Sequence, residues 1–302
     1  MNEKIIETES LTVYYGKHLG IKDVNLTVMK GEAFGFLGPN GAGKTTTQRV
    51  LLDVIRPTSG RAAIFGLDCR EQGVELRQRV GYLPGELALY KDMKADQFFK
   101  MYEYLRGANG AKGHWRDLAK RLDLDISRKI GNFSRGNKQK VGIVAAFMNR
   151  PDLLILDEPT GGLDPLVQQT VMEMVREVKA DGRTVFFSSH ILPEVEAVCD
   201  RVGIIRAGQL VAIQRVEDLI TARMKRLTMT FTTLPSENTF NQAGVTELSR
   251  SQQSIVLEVR QNLPQVLAAA AQHDIQDIET HNMSLEEIFL AYYGKGNGGN
   301  HV

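Results

Sequence analysis

The segment Gly38-Pro-Asn-Gly-Ala-Gly-Lys-Thr45 constrains this chain more than any other part of its sequence. It matches the pattern G-x-x-x-x-G-K-[ST] at every defined position. Glycines let such a loop wrap so that backbone N–H groups point inward, and the helix that follows presents its positive end to an anion. Lys44 supplies a point charge for the outer phosphates, and the Thr45 hydroxyl is a ligand for Mg²⁺. The pattern therefore predicts a phosphate-binding P-loop.

The segments on either side of the loop have the expected character. Residues 34–37 form a short apolar run that predicts a strand, and residues 44–54 have a helical pattern that ends at Arg56-Pro57. A P-loop placed between a strand and a helix is typical of nucleoside triphosphatases and kinases.

A second chemical segment is Leu153-Leu-Ile-Leu-Asp157-Glu158. Its four apolar residues predict a buried strand, and Asp157 at the end of that strand is placed to hold the Mg²⁺ shell. Glu158 follows at the position where a carboxylate orients or deprotonates an attacking water. Taken alone, the pair also fits a solvated acidic strand end, but the P-loop favours the catalytic interpretation.

Strands and helices alternate along most of the chain up to about residue 222, which predicts a mostly parallel sheet with helices on its faces. We therefore expect an α/β fold, with a P-loop NTPase core at residues 1–222 and a helical subdomain at about 87–150. The pattern after residue 222 predicts a small C-terminal α+β domain at 223–293 and a flexible tail at 294–302. Within that domain, Ser284-Leu-Glu-Glu287 has the capping-box form and predicts a last helix.

Composition excludes several classes of protein. Lys plus Arg number 37 against 36 Asp plus Glu, so the net charge of +1 gives no bulk electrostatic reason to expect a nucleic-acid partner. Cys69 and Cys199 lie far apart, which predicts free thiols rather than a metal or redox motif. The first ten residues contain three glutamates and no apolar stretch, so no secretory signal is expected. The longest apolar runs, such as 141–148, are too short to span a bilayer, and any membrane role is expected to come through a partner.

Several further segments resemble one family, the ATP-binding subunits of ABC transporters. Asn132-Phe-Ser-Arg-Gly-Asn-Lys-Gln139 stands where that family carries its Leu-Ser-Gly-Gly-Gln signature. Residues 158–164 resemble the stretch from the catalytic glutamate to the D-loop, and Ser188-Ser-His190 resembles the switch-histidine segment. Tyr15 stands where the family has an aromatic residue that stacks on adenine. The matches span about residues 5–215 in the expected order, so the core is expected to be of the ABC type.

The resemblance implies a head-to-tail dimer that binds ATP and Mg²⁺ at its interface, with the P-loop of one copy facing the signature of the other. It also implies one or more integral-membrane permease subunits as partners, no nucleic acid, and a location at the cytoplasmic face of the cell membrane through the permease. The catalytic residues implied are Glu158, His190 and Lys44, and the metal ligands are Thr45 and Asp157. The nucleotide-binding residues implied are Tyr15, Gly38, Pro39, Asn40, Gly41, Ala42, Gly43, Lys44, Thr45, Thr46, Ser134, Gly136 and Asp164.

Three of these residues have plainer interpretations from their local sequence. Ser134 fits a simple helix N-cap. His190 fits a packed or surface residue after an apolar strand. Tyr15 shares a strand face with Leu11 and Val13, which also fits a core position, and Tyr14 is then an available substitute.

The chain departs from the family pattern at two places. Phe133, Arg135 and Asn137 replace the common signature residues, whereas Ser134 and Gly136 are kept. In Tyr82-Leu-Pro-Gly85-Glu86, Gly85 stands where the family has a glutamine that reaches Mg²⁺ or the attacking water. The sequence therefore does not identify the residue that senses the γ-phosphate at this loop. The form of this segment and of residues 283–293 resembles exporter-type members, which favours export.

Two other classes of protein also carry a P-loop. One is a soluble ABC-type ATPase acting on DNA or ribosomes, but only about 110 residues separate the two nucleotide motifs, without the sustained heptads of a long coiled coil, and the chain holds one ATPase unit. The other is a small-molecule P-loop kinase, in which the signature segment would have no purpose. Residues 87–122 are expected to dock the permease, or alternatively to serve only their own core. The C-terminal domain has no ligand or catalytic spacing.

Overall fold

The computed structural model describes residues 3–106, 112–221, 225–259 and 261–281. The strands, in chain order, are β1 (Lys4–Tyr15), β2 (His18–Met29), β3 (Ala33–Leu37), β4 (Ser59–Ile64), β5 (Leu67–Asp68), β6 (Val80–Leu83), β7 (Leu153–Asp157), β8 (Thr184–Ser189), β9 (Arg201–Arg206), β10 (Gln209–Arg215), β11 (Lys225–Phe231), β12 (Val245–Arg250), β13 (Ser254–Val259) and β14 (Ile275–His281). The α-helices are α1 (Lys44–Leu51), α2 (Gly73–Gln78), α3 (Ala95–Arg106), α4 (His114–Arg121), α5 (Arg135–Phe147), α6 (Pro165–Ala180), α7 (Leu192–Val198), α8 (Val216–Thr221) and α9 (Leu263–Ala270). A 3-10 turn covers Ile130–Asn132.

The chain forms two compact units, Met1–Val216 and Glu217–Val302. In the first unit, a six-stranded sheet has the order β10-β9-β3-β8-β7-β6 and is parallel except for the hairpin of β9 and β10. Every residue of β3, β7 and β8 is buried, as expected for central parallel strands covered on both faces. This confirms the predicted α/β architecture.

The register of this sheet decides where the chemistry can lie. Leu37 at the end of β3 pairs with Ser189, and Asp157 at the end of β7 pairs with Ser188 on the strand between them. Because parallel strands end at one edge, the loops that leave β3, β7 and β8 are neighbours.

A separate antiparallel sheet of order β2-β1-β4-β5 completes the core of the first unit. Isoleucine and leucine side chains of β1 and β2 share a hydrophobic cluster with Phe34, Phe36 and Ile155 of the parallel sheet. Strands β1 and β2 have twelve residues each, and Leu11 pairs with Val24.

Two predicted helices are shorter than expected. The helix predicted at 44–54 ends at Leu51, because Asp53 adopts a φ of 55° and the Val54 N–H turns back to the Arg49 carbonyl. In the helical subdomain predicted at about 87–150, residues 87–94 are not helical. Backbone groups of this stretch bond to the chain near residues 128–131, so they do not form helical bonds. Helices α3 and α4 follow, and Phe99 packs against Trp115 between them.

The second unit contains an antiparallel sheet of order β12-β13-β11-β14 and helix α9. Its core includes Met229, Phe231, Leu257 and Val266, which come from two strands and the helix. The predicted helix that begins at Ser284 and the predicted tail at 294–302 lie outside the described residues.

Candidate functional site

The P-loop connects the end of β3 to the start of α1. At two positions of this loop the backbone conformation or a close contact requires glycine. Gly43 adopts a φ of 110° directly before α1, a conformation that L side chains rarely adopt. A Cβ on Gly38 would lie 2.3 Å from the Ile205 carbonyl oxygen, so only glycine fits at that close approach. These two glycines therefore allow the loop to wrap directly before α1.

Lys44 is the first residue of α1, and its side chain is only 5% exposed. Its ammonium group donates to the carbonyls of Gly38 at 2.7 Å and Pro39 at 3.1 Å, and lies 3.2 Å from Glu158 Oε1. These contacts hold the charge of Lys44 inside the loop and link the P-loop to the end of β7.

Asp157 ends β7 and is 1% exposed. Its two carboxylate oxygens each accept a hydrogen bond of 2.6 Å, Oδ2 from the Thr45 hydroxyl and Oδ1 from the Ser188 hydroxyl. Burial, with the Asp157 charge as a smaller cause, raises the pKa of the nearby Tyr82 phenol to about 12. The site therefore contains a buried carboxylate that is fixed by neutral hydroxyls.

Glu158 has a φ of 49°, an uncommon conformation that costs roughly 1–2 kcal/mol for a residue with a Cβ. Its N–H donates to the Ser188 carbonyl at 3.1 Å, and Gln139 Nε2 donates to the next carbonyl, that of Pro159, at 3.1 Å. The carboxylate Oε1 lies 3.2 Å from His190 Nδ1, the same distance as from Lys44. The backbone turn thus aims Glu158 at two groups capable of carrying positive charge.

Thr45, Asp157 and Glu158 line one cavity of about 270 Å³. Its walls come from the P-loop, α1, the segment after β6, the start of α5 and the turn after β7. The lining residues are Asn40, Thr45, Arg49, Gly85, Glu86, Arg135, Gln139, Asp157, Glu158 and Gly161.

The signature residues lie at the start of α5. Ser134 is its N-cap and accepts a hydrogen bond from the Asn137 N–H at 3.2 Å. A Cβ on Gly136 would lie 2.9 Å from the Gly162 carbonyl oxygen, so α5 and the loop before α6 are in close contact. Asp164 is the N-cap of α6, and its Oδ1 accepts from the Val167 N–H. Ser134 and Asp164 thus have capping roles within the chain, and their nucleotide contacts stay predictions.

Tyr15 is not a core residue, although Leu11 and Val13 on the same strand are buried. Its side chain is 45% exposed, and its hydroxyl lies 3.3 Å from Thr46 Oγ1 on α1. Tyr14 is exposed to a similar extent. The aromatic ring of Tyr15 is therefore available beside the first turn after the P-loop, and its stacking on adenine stays a prediction.

Comparison with known proteins decides the family. The sequence model described as "ABC transporter" matches residues 21–161. The ABC transporter ATP-binding protein NatA of Bacillus subtilis is 39% identical over 204 residues, which are 66% of this chain and 83% of NatA. The chain belongs to the ATP-binding proteins of ABC transporters. The linearmycin resistance ATP-binding protein LnrL of the same organism is 36% identical over 71% of this chain and 70% of its own length.

Solved structures agree with this assignment. A structure described as the ATP-binding subunit of an ABC transporter superposes with a TM-score of 0.66 at 30% identity, covering 71% of this chain and 91% of the other. A dimeric ATP-binding cassette solved with ADP and Pi superposes with a TM-score of 0.64 at 21% identity, covering 70% and 99%, which shows the shared fold.

As a member of this family, the chain is an ABC-type ATPase that binds and hydrolyses ATP. Proteins of this kind work with membrane permeases and dimerise. The comparisons give no support to a soluble ATPase acting on DNA or ribosomes. Across the residues that the structure describes, no helix combines the length and apolar character needed to cross a membrane.

Three residues of this ABC ATPase site have structural contacts that the sequence analysis did not identify. They are Ser188, which bonds to Asp157; Gln139, which bonds to the Pro159 carbonyl; and Gln48, whose Nε2 donates to the Leu156 carbonyl at 3.3 Å. Ser188 had a usable signal, since the strands of a parallel sheet end at one edge and bring their last residues together. The two glutamines had none, because their partners are backbone carbonyls.

Gly85 is the position at which this chain departs from the ABC pattern in the segment after β6. A Cβ at this position would lie 3.0 Å from Asp157 Oδ2, so the backbone here lies against the buried carboxylate. Glu86 lines the cavity beside it. In this family a glutamine side chain usually starts from this position, which lies next to Asp157. Because residue 85 is glycine here, it contributes no side chain to that space.

Proposed function

We propose that this ATPase subunit drives export of a substrate through a separate membrane permease, with hydrolysis centred on Glu158. The observation that carries the proposal is the position of the Glu158 carboxylate, 3.2 Å from both Lys44 Nζ and His190 Nδ1 beside the P-loop. In this assignment Lys44 binds the outer phosphates, Glu158 is the general base for water, and His190 contacts the transferred phosphoryl group.

The donor set beside the P-loop fits Mg²⁺. This ion prefers oxygen ligands and is usually held by one or two protein groups together with phosphates and water. The Thr45 hydroxyl and the Asp157 carboxylate are such ligands, and their oxygens lie 2.6 Å apart. Mg²⁺ bound there would neutralise charge on the phosphates during transfer. Ser188 fixes the orientation of Asp157 for this purpose.

The dimer is proposed to be head-to-tail, with Ser134 and Gly136 completing the nucleotide site of the second copy. At the start of α5, the Ser134 hydroxyl and free backbone N–H groups of a 13-residue helix are suited to an anion. Asp164 is proposed to take part at the same interface, and Tyr15 to stack on adenine. Residues 38–46 are proposed to bind the phosphates from the other side.

The proposed permease contact is the helical region that includes α3. Tyr104 and Leu105 of α3 are 86% and 70% exposed, which leaves apolar surface for a partner. Through this contact the subunit is proposed to lie at the cytoplasmic face of the cell membrane. Export is supported by the names of relatives, which include the linearmycin resistance protein and the bacitracin transport ATP-binding protein BcrA of Bacillus licheniformis, 39% identical over 68% of each chain. Crosslinks from α3 to a co-purified permease would support docking, and crosslinks exclusively from other regions would refute it.

The central test replaces Glu158 with glutamine. Removal of a general base lowers rates about 10²–10⁴-fold, so Glu158→Gln should bind ATP, hydrolyse it slowly and trap the ATP-bound dimer. ATP turnover and the fraction of dimer on gel filtration are the measurements.

Glu173→Gln on α6 is the matched control, because Glu173 is a solvent-exposed carboxylate that pairs with Arg121 and not with the site. It should retain the parent turnover rate. Hydrolysis by Glu158→Gln at the parent rate would remove Glu158 from the role of base.

A further inference from the structure

Glu194 connects the two turns that position Glu158 and His190. It lies on α7, and its carboxylate accepts hydrogen bonds from the hydroxyls of Thr160 and Ser189, the latter at 2.6 Å. Thr160 and Ser189 are 3% and 1% exposed. A carboxylate that accepts two hydrogen bonds from buried hydroxyls forms charge-assisted bonds, which are shorter and stronger than neutral ones.

The positions of the two hydroxyls in the sequence give the contact its meaning. Thr160 comes two residues after Glu158, and Ser189 comes directly before His190. Ser189 Oγ also accepts from the Ile191 N–H at 2.9 Å, so its hydroxyl holds the backbone on both sides of His190. Besides the Glu158 N–H bond to the Ser188 carbonyl, two side-chain connections therefore join the turn after β7 to the turn after β8. One is formed by Glu158 with His190, and the other by Thr160, Glu194 and Ser189.

The second connection bears on the first because Ser189, which bonds to Glu194, directly precedes the histidine in the chain. The His190 side chain is 43% exposed, and its contact with Glu158 Oε1 is 3.2 Å long. A histidine at that exposure is held in place by its backbone rather than by packing. Glu194 supports that backbone through its hydrogen bond with Ser189.

We infer that Glu194 is a positioning residue for ATP hydrolysis, which sets the distance between the Glu158 carboxylate and the His190 imidazole. The inference rests on the proposed function. The hydrogen bonds of Glu194 are with Thr160 and Ser189, so its effect on Glu158 and His190 passes through these two residues. The alternative is that the buried hydrogen bonds stabilise the fold and have no influence on turnover.

The test compares turnover in Glu194→Ala and Glu194→Gln with the full-length parent, at a temperature well below each unfolding midpoint. Small displacements of catalytic groups cost up to about 100-fold, so Glu194→Ala should lower kcat about 10-fold or more while KM for ATP changes little. Glu194→Gln keeps one carbonyl oxygen as acceptor and should recover part of the loss. Thr160→Val and Ser189→Ala, which remove one donor each, should lower kcat in the same direction.

A double-mutant cycle separates positioning from a purely structural role. If Glu194 acts through His190, the pair His190→Ala with Glu194→Ala should be no slower than His190→Ala alone, within about twofold. Effects that multiply would overturn the inference, as would Glu194 variants that lose thermal stability but keep the parent kcat. Glu173→Ala is the control, since Glu173 lines the same groove between α6 and α7 as Glu194 but bonds to Arg121.

The cycle also distinguishes this inference from the proposed function. If Glu158→Gln and His190→Ala themselves retain the parent rate, the proposed function fails. If both lose activity while every Glu194 variant is as fast as the parent, the inference about Glu194 fails and the proposed function stands.

Discussion

The hydroxyl of Thr45 donates a 2.6 Å hydrogen bond to Asp157 Oδ2, across 112 residues of sequence. The strand order β3-β8-β7 makes this contact possible, because it places the first turn of α1 beside the end of β7. Ser188, on the strand between them, engages the other carboxylate oxygen. The two halves of the nucleotide site are therefore joined by hydrogen bonds within the chain, and Asp157 has little freedom to move.

Ser188→Ala should destabilise the first unit. The change leaves Asp157 Oδ1 without its donor in a position that is fully buried, and an unsatisfied buried polar atom costs about 1–3 kcal/mol. Urea unfolding followed by tryptophan fluorescence measures this, since Trp115 is the single tryptophan and is buried in the same unit. Ser59→Ala, at an exposed strand position of that unit, should stay within about 0.5 kcal/mol of the parent. Equal effects of the two changes would contradict the assignment.

The parts of the site that the sequence predicts are those with local causes. The P-loop needs glycine at closely spaced positions, and Asp157 and Glu158 follow four apolar residues that can be read as a buried strand. Helix α5 begins at the residue after Ser134, as its N-cap pattern indicates. Each of these predictions depends on residues close to one another in the chain.

The parts that sequence reasoning missed depend on distant partners. Gln139 is polar on a largely buried helix, and its role appears only when the Pro159 carbonyl is seen beside it. Strand β10 was not predicted, because its alternation is weak and it is held by pairing with β9. Residues 87–94 looked helical from their pattern, but their backbone bonds to residues 128–131.

Both cysteines should be unreactive in the folded protein. Burial raises the pKa of the Cys69 thiol from 9.0 to about 12, and burial also raises the pKa of Cys199 well above its ordinary value. For Cys69, this lowers the thiolate fraction at about pH 8 roughly a thousandfold, and the thiolate is the reactive form. Labelling with a thiol-specific disulfide reagent should be slow in buffer and rapid in guanidinium chloride. Cys69→Ser and Cys199→Ser would each identify the residue responsible if labelling in buffer proved fast.

The ion pair between α4 and α6 should contribute pH-dependent stability. Arg121 donates to Glu177 Oε1 at 2.7 Å, and this hydrogen bond holds the pKa of the Glu177 carboxyl below its ordinary value of 4.5. Because the pKa is lowered in the folded chain, the stabilisation is present above pH 4.5 and disappears as the pH falls through the lowered pKa. Glu177→Gln should cost less than about 1 kcal/mol at neutral pH, since the pair is solvent-exposed.

The measurement is the difference in unfolding free energy between parent and Glu177→Gln as a function of pH. That difference should shrink in acid, where the Glu177 carboxylate is protonated, and in high salt, where the attraction between the two charges is screened. A difference that is the same in acid as at neutral pH would show that Glu177 acts through packing.

Gly85→Ala and Gly85→Gln should both lower the rate of ATP hydrolysis, although glutamine is the usual residue of the family at this place. A Cβ at residue 85 would lie 3.0 Å from Asp157 Oδ2, which is closer than ordinary van der Waals contact. Asp157 cannot give way easily, because Thr45 and Ser188 hold its two oxygens at 2.6 Å. The expected result is a loss of about 10-fold in kcat, caused by displacement of Asp157.

Gly73→Ala is the control, since its new Cβ would meet the flexible end of Arg77. If Gly85→Gln hydrolysed ATP faster than the parent, a glutamine side chain would fit beside Asp157 and assist hydrolysis. That result would contradict the prediction that a side chain at residue 85 displaces Asp157.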